Sequence, residues 1–285
     1  RRRSIDTFRG ARSGASDLFA GTKLQRYLWL TLYLGGVFWR RLLAYRGDFL
    51  LGALGFSITV AARTLFLLLV FRQVGDIAGW SLPELLFLFG FSLLPRGLDH
   101  FMCDQLWELG RKLVQQGEFS KYLVRPVNPL FLLLSERFFY PDGLGELLAG
   151  LALMAYALGQ LDHSLSLAQW LALPGLVLCG TLVFTAIKLA FASLAFWTQS
   201  SFAAMNTAYQ LSSFAKYPLD IFQAGLRFVL TWCLPFAFTA YVPVLYLLRG
   251  DSRLLWATPL AAGLAFWGAY RLWLAGLARY ESTGT

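Results

Sequence analysis

The chain is poor in charge, histidine and cysteine, and each shortage excludes a class of protein. Only 14% of its 285 residues are charged, against about 25% in an ordinary soluble domain. An ordinary soluble domain is therefore excluded. The two histidines, His100 and His163, sit neither in an HExxH pattern nor opposite a GxSxG serine, so no hydrolase signature is present. Cys103, Cys179 and Cys233 lie singly in apolar runs without CxxC spacing, which indicates neither a disulfide framework nor a metal site. A GxxxxGK[ST] phosphate loop is absent, so the chain does not hydrolyse ATP by that route.

What it has in abundance is apolar surface. Hydrophobic residues make up 57% of the chain, and its mean hydropathy is +0.55. Several apolar runs approach the ~20 residues that cross a ~30 Å hydrocarbon core. They are continuous and not alternating, so spanning helices are expected and not a barrel. The formal charge of +9 is read as basic loops facing anionic lipid, with no nucleic-acid partner.

Residues 1–23, RRRSIDTFRGARSGASDLFAGTK, are rich in Arg, Gly and Ser. They are expected to be a mobile basic tail and not a secretory signal, because no h-region with a small-residue cleavage site follows. Between Arg26 and Arg40 the apolar run is too short to span; residues 24–48 read as an interfacial amphipathic helix anchored by Trp29, Tyr33, Phe38 and Trp39. Six spans are expected, at about Phe49–Phe71, Pro83–Met102, Phe138–Leu158, Trp170–Trp197, Gln223–Leu248 and Leu254–Leu277. The second opens with a Ser81-x-x-Glu84 capping pattern around Pro83. Ten Lys and Arg precede the first span and five more lie between Arg111 and Arg137, which makes these segments, and with them both termini, cytoplasmic. The segment 198–222, with Lys216, then falls inside as a loop.

Residues 104–137 form the longest polar interruption. Leu106, Leu109, Leu113 and Val114, with Trp107 beside them, recur at helical spacing, while Glu108, Arg111, Lys112, Gln115 and Gln116 fill the other face. Gly117 is the expected stop of this amphipathic helix. Arg125-Pro126-Val127-Asn128-Pro129 cannot be helical throughout. Asn128 suits an N-cap and Pro129 the first helical position of a second short helix. A helix, an elbow and a helix on the cytoplasmic surface could transmit force; a solvated loop with no partner is the alternative.

Gly117-Glu118-Phe119 through Tyr122-Leu123-Val124-Arg125-Pro126-Val127-Asn128-Pro129-Leu130-Phe131 resembles the signature loop of ABC-2 type transporter permeases, the membrane subunits of bacterial ATP-driven exporters. Lys216-Tyr217-Pro218-Leu219-Asp220-Ile221-Phe222, Leu226-Arg227 and Leu234-Pro235-Phe236-Ala237-Phe238 through Tyr241-Val242-Pro243 resemble that family's stretch leading into and through the fifth helix. The resemblance covers about residues 24–280. It implies an all-α integral membrane fold: six transmembrane helices, an N-terminal interfacial helix and a cytoplasmic coupling helix between helices two and three, within a permease domain at 49–280. It implies as partners two copies of a cytoplasmic ATPase, which would carry the ATP and Mg, a second permease, identical or related, and membrane lipid. It implies a bacterial inner membrane as the setting. By the same resemblance 104–116 is the coupling helix, and Trp107, Leu109, Arg111, Leu113, Glu118, Phe119, Arg125, Pro126, Asn128 and Pro129 are the ATPase-coupling residues. An intramembrane enzyme and a non-transporting scaffold or regulator remain as other readings.

Charges inside the spans need partners or water. Arg63 lies about 21 Å into the first span at ~1.5 Å per residue, where it lines a path or meets an anionic headgroup, or else forms an ion pair or snorkels outward. Lys188 is expected to snorkel at the inner leaflet, and Glu146 to stay near the inner interface. Asp99 is expected to pair with Arg96 or a neighbouring helix, with a proton relay through Asp99 and His100 as a further option. Pro235 and Pro243 divide the fifth apolar run, which alone leaves a kinked helix; the resemblance implies instead short re-entrant pieces near the outer face, so that Pro235–Leu248, Tyr241 among them, form an outer gate. Apolar walls with few polar groups favour an amphipathic substrate.

Overall fold

The computed structural model describes residues 27, 29–33, 36–37, 40, 46–71, 73–74, 76–138, 142–161, 164–250 and 252–280. The expected tail at 1–23, Phe38, Trp39 and His163 lie outside the described residues. The chain divides into two units, 1–46 and 47–285. In the first, the described residues between Tyr27 and Arg40 are helical. The rings of Trp29 and Tyr33 stack there with centroids 5.4 Å apart, and Leu32 and Tyr33 are exposed.

Among the described residues the rest of the chain is helical, with one isolated bridge between Ile77 and Trp80 and no strand. In order the helices are α1 (Arg46–Phe71), α2 (Leu82–Cys103), α3 (Leu106–Glu108), α4 (Ser120–Leu123), α5 (Pro129–Ser135), α6 (Asp142–Leu158), α7 (Leu167–Ser193), α8 (Ala195–Thr198), α9 (Phe202–Ser212), α10 (Ala224–Phe228), α11 (Tyr241–Arg249) and α12 (Ser252–Leu277). Among the described residues three stretches are long and apolar enough to cross a membrane: Leu54–Phe71, Leu167–Thr198 and Leu255–Leu277. Helix α2 has 22 residues, about 33 Å of rise, but Arg96, Asp99 and His100 interrupt its apolar character.

Local chemistry sets the helix starts. Glu84 accepts hydrogen bonds from the Ser81 backbone N–H at 2.7 Å and from its Oγ at 2.9 Å, with Pro83 in the first turn of α2. Ser166 and Gln169 cap α7 in the same way, the Gln169 Oε1 accepting from the Ser166 N–H at 2.8 Å. Sequence reading missed this second box and started the span three residues later.

Helix α2 is the centre of the bundle; α6 and α7 pack against it, and α12 packs against α7. The α2–α6 crossing is built on glycine. A Cβ placed on Gly90 would lie 2.9 Å from the Gly150 carbonyl oxygen, and one on Gly143 only 2.5 Å from that of Gly97. Both pairs sit seven residues apart on their helices, so the backbones touch along about two turns. Helix α1 is largely exposed, with Leu51, Leu54, Ile58, Leu65, Phe66 and Leu69 all open.

The fifth span differs from expectation. Residues 198–222 are not a loop: α9 occupies 202–212 and a 3-10 turn follows at Ser213–Lys216. Lys216 is 8% exposed and shares a cavity with Arg63 of α1 and Phe89 of α2, so it is packed against the bundle and not on an exposed loop. Nor is 223–248 one continuous helix. It breaks into α10, a π turn at Val229–Cys233, a 3-10 turn at Phe236–Thr239 and α11. Pro235 stands at the N-cap of the 3-10 turn and Pro243 in the first turn of α11, where a missing N–H costs nothing. The prolines therefore start new pieces. Helix α11 has nine residues, about 14 Å of rise, too short to cross alone.

Candidate coupling unit and intramembrane polar layers

The 104–137 segment folds onto the ends of the long helices. Leu106, Leu109, Leu113, Val114, Phe119, Tyr122, Leu130 and Leu133 form one buried cluster with Leu189 and Ala192 of α7, Phe196 of α8 and Trp273 of α12. Helix α3 continues as a π turn at Leu109–Leu113, and Gly110 explains the close seat: its carbonyl accepts from the Ser201 N–H at 2.8 Å and from Ser200 Oγ at 3.2 Å. Gly117 takes φ +70, as expected of a helix stop. Phe119 then turns inward against Phe196, Trp273 and Tyr280. Asn128 caps α5, its Oδ1 accepting from the N–H groups of Leu130 at 2.9 Å and Phe131 at 3.3 Å.

The two ends of the segment are stapled together. Arg137, just past α5, reaches back to Asp104 at 3.1 Å and Glu108 at 3.2 Å. Glu136 accepts from Gln105 Nε2 at 2.9 Å and from the Tyr122 hydroxyl at 2.6 Å. Burial, reinforced by that bond to Glu136, raises the Tyr122 pKa above its ordinary value, so the hydroxyl stays a donor through the physiological range. The unit is a closed frame on a packed base.

The coupling residues read from sequence divide into two sets. Leu109, Leu113 and Phe119 are inside, at most 2% exposed, and Trp107 is half-buried with its ring against Phe202 and Tyr209; these hold the frame and cannot present a face to a second chain. Arg111, Glu118, Arg125, Pro126 and Asn128 are exposed. Pro129, the first residue of α5, is half-buried. Beside them sequence reading passed over Leu123 and Val124, which are 43% and 82% exposed. Two aliphatic residues standing open next to Arg125 were the signal.

Above this frame lie two polar layers within the bundle. Asp99 of α2 pairs with Lys188 of α7, side chains 0% and 5% exposed; Thr185 Oγ1 donates to Asp99 at 2.7 Å, and Lys188 Nζ donates to the Cys103 carbonyl at 3.4 Å. Lys188 therefore does not snorkel, and Asp99 takes its partner from the neighbouring helix α7 and not from Arg96. In the second layer Glu146 of α6 meets Arg96 at 3.2 Å and His100 Nδ1 at 3.4 Å. Glu146 is 3% exposed, packed inside the bundle. Tyr209 of α9 joins this layer: Arg96 donates to its hydroxyl, and His100 Nε2 lies 3.4 Å from it. Asp99 and His100 thus belong to separate networks, and the geometry assembles no relay between them.

On α9 the side chains of Asn206, Thr207 and Gln210 are exposed and Ser213 is half-buried. Asn206, Gln210 and Ser213, the last at the start of the 3-10 turn that follows α9, are four and three residues apart and share one face, with Thr207 beside it. This polar stripe was missed because the run, FAAMNTAYQLS, looked too polar to span; its helical periodicity was the available signal. At the other end, Tyr241 donates to Asp220 at 2.6 Å, Arg249 stands 4.9 Å over the fully buried Trp80 ring, and Gln169 Nε2 donates to the Leu247 carbonyl at 2.9 Å. These contacts hold the broken segment 235–249 against α7 and the α1–α2 connection. Arg63 is exposed and, among the described residues, within ion-pair distance of no carboxylate.

The profile of the ABC-2 family transporter proteins matches residues 57–284, which takes in both polar layers, the stapled frame and the broken fifth segment. No curated protein and no solved structure matches the chain. With apolar helices long enough to cross a bilayer and a family match over most of its length, this is a multi-pass membrane protein that belongs to the ABC-2 family of transporter proteins.

Proposed function

We propose that the chain is the permease subunit of an ATP-driven exporter, forming half of a translocation path and driven through residues 104–137 by a separate cytoplasmic ATPase. The observation that carries this is the stapled frame. A force applied to the exposed Leu123–Arg125 corner would pass through the Arg137–Asp104 and Arg137–Glu108 pairs and the Phe119 cluster to α7 and α12 without being lost in a slack loop. Differential contact of the ATPase with two positions of the frame is what such coupling requires.

In this reading the chain crosses six times, both termini are cytoplasmic, and the fifth crossing is 202–222. The pieces at 224–249 form an outer gate with Pro235, Tyr241 and Pro243 at its joints. The exposed stripe of Asn206, Thr207, Gln210 and Ser213 lines the path, since unpaired amides at membrane depth belong against water or protein. Two permeases, identical or related, and two ATPase copies complete the assembly, with ATP and Mg held on the ATPase. The test is ATP turnover by the purified assembly of this chain with the cytoplasmic ATPase that co-purifies with it. Vanadate-sensitive turnover that requires this chain supports the reading; its absence with every neighbouring subunit present sinks it.

A further inference from the structure

A cavity of about 200 Å³ is lined by Arg63 and Leu67 of α1, Phe89 of α2 and Ser213, Lys216 and Tyr217. Two basic side chains, Arg63 and Lys216, face it. Lys216 is 8% exposed and has neither a hydrogen bond nor an ion pair among the described residues. Arg63, Arg96 and Glu146 are the charged groups that act on it, and Glu146 is already held by Arg96 and His100. Among the described residues the site is thus lined by two basic side chains and no free carboxylate. Burying unpaired charge is costly in a protein and costlier in a bilayer, so an arrangement of this kind is favourable when an anion enters.

The walls say what carries the anion. Leu67, Phe89 and the Tyr217 ring are apolar or aromatic. On the neighbouring face of α1 an open apolar groove of about 430 Å³ runs between α1 and α6, past Val60, Ala61, Leu65 and Leu68 toward Ala152 and Leu153. An inorganic ion offers nothing to such a groove, whereas an acyl or prenyl chain does.

We propose that the Arg63–Lys216 cavity binds the oxyanion headgroup, phosphate or carboxylate, of an anionic amphiphile whose apolar chain lies along α1. This deepens the permease reading by naming its substrate class, and it rests on that reading only for the direction of travel. Arg63 supplies the planar donor pair that matches an oxyanion and Lys216 a point charge.

The test is thermal unfolding of the purified full chain in a neutral maltoside detergent, titrated with dodecyl phosphate. A saturable rise in Tm is expected, with half-saturation shifted at least tenfold upward in both Arg63→Gln and Lys216→Gln. Lys216→Arg, which keeps the charge, should restore it, and serves if the glutamine variant folds poorly. Inorganic phosphate at equal concentration should give no saturable rise. The proposal is overturned if the wild type shows no rise, if the variants saturate at the wild-type concentration, or if inorganic phosphate alone reproduces the effect. No ATPase takes part, so failure here leaves the coupling reading standing, and failure of ATP turnover leaves this one standing.

Discussion

Lys188 and Asp99 meet where neither can reach water, between α7 and α2. Removing one partner strands the other. Asp99→Asn should therefore lower stability by about 3–5 kcal/mol, whereas the double change Asp99→Leu with Lys188→Met should cost little or stabilise. Thermal melts of the three chains in one detergent decide it; equal melting of wild type and Asp99→Asn would remove the pair from the account. The sequence showed Lys188 as a charge within an apolar run but not what faces it, because Asp99 is far away in the chain and the facing depends on how α2 and α7 rotate. Arg63 was legible as a charge inside an apolar run, with a path, a headgroup, an ion pair and snorkelling all left open, while its companion Lys216 was hidden in a segment read as a loop.

At the scale of elements, the glycines of α2 and α6 decide how close the bundle packs. A methyl at Gly143 would press on the Gly97 carbonyl at 2.5 Å and the Phe101 N–H at 2.6 Å, backbone atoms that cannot turn aside. Gly143→Ala should lower stability by about 1–3 kcal/mol. Gly263→Ala on α12, where a Cβ meets nothing within 4 Å, should leave it unchanged or raise it by up to about 1 kcal/mol. Melting curves showing the same change at both sites would contradict the close crossing.

Helix ends were the legible part of the chain. The Ser81–Glu84 box, the Gly117 stop and the Asn128–Pro129 start were read from residue type alone, because each is satisfied within a few residues. The fifth segment was not legible. Its apolar run at 223–248 has the length of a span, yet Pro235, the π turn before it and the Tyr241–Asp220 bond break it into pieces. Conversely α9 carries Asn206, Thr207 and Gln210, which lowers its apparent hydropathy although it packs inside the bundle against α7. Composition cannot separate a polar loop from a polar helix that faces a path.

For the molecule as a whole, the apolar core and the stapled frame have different tasks. Helices α2, α6, α7 and α12 form the body, and residues 104–137 form a handle fixed to its end by Phe119 and Arg137. The handle presents Leu123, Val124 and Arg125 outward. Placing a charge at Val124, 82% exposed, should leave folding unaffected, since surface changes are usually within about 0.5 kcal/mol, yet break an apolar contact with a partner. Charges at Leu113 or Phe119 would instead unfold the frame, because both are at most 2% exposed. The measurement that bears most directly on the coupling role is vanadate-sensitive ATP turnover by the assembly reconstituted in liposomes, with wild-type chain and with Val124→Glu at matched melting temperature. The account predicts turnover that depends on the wild-type chain and falls about tenfold or more in the variant, equivalent to about 1.4 kcal/mol or more. Turnover equal in the two assemblies would contradict it.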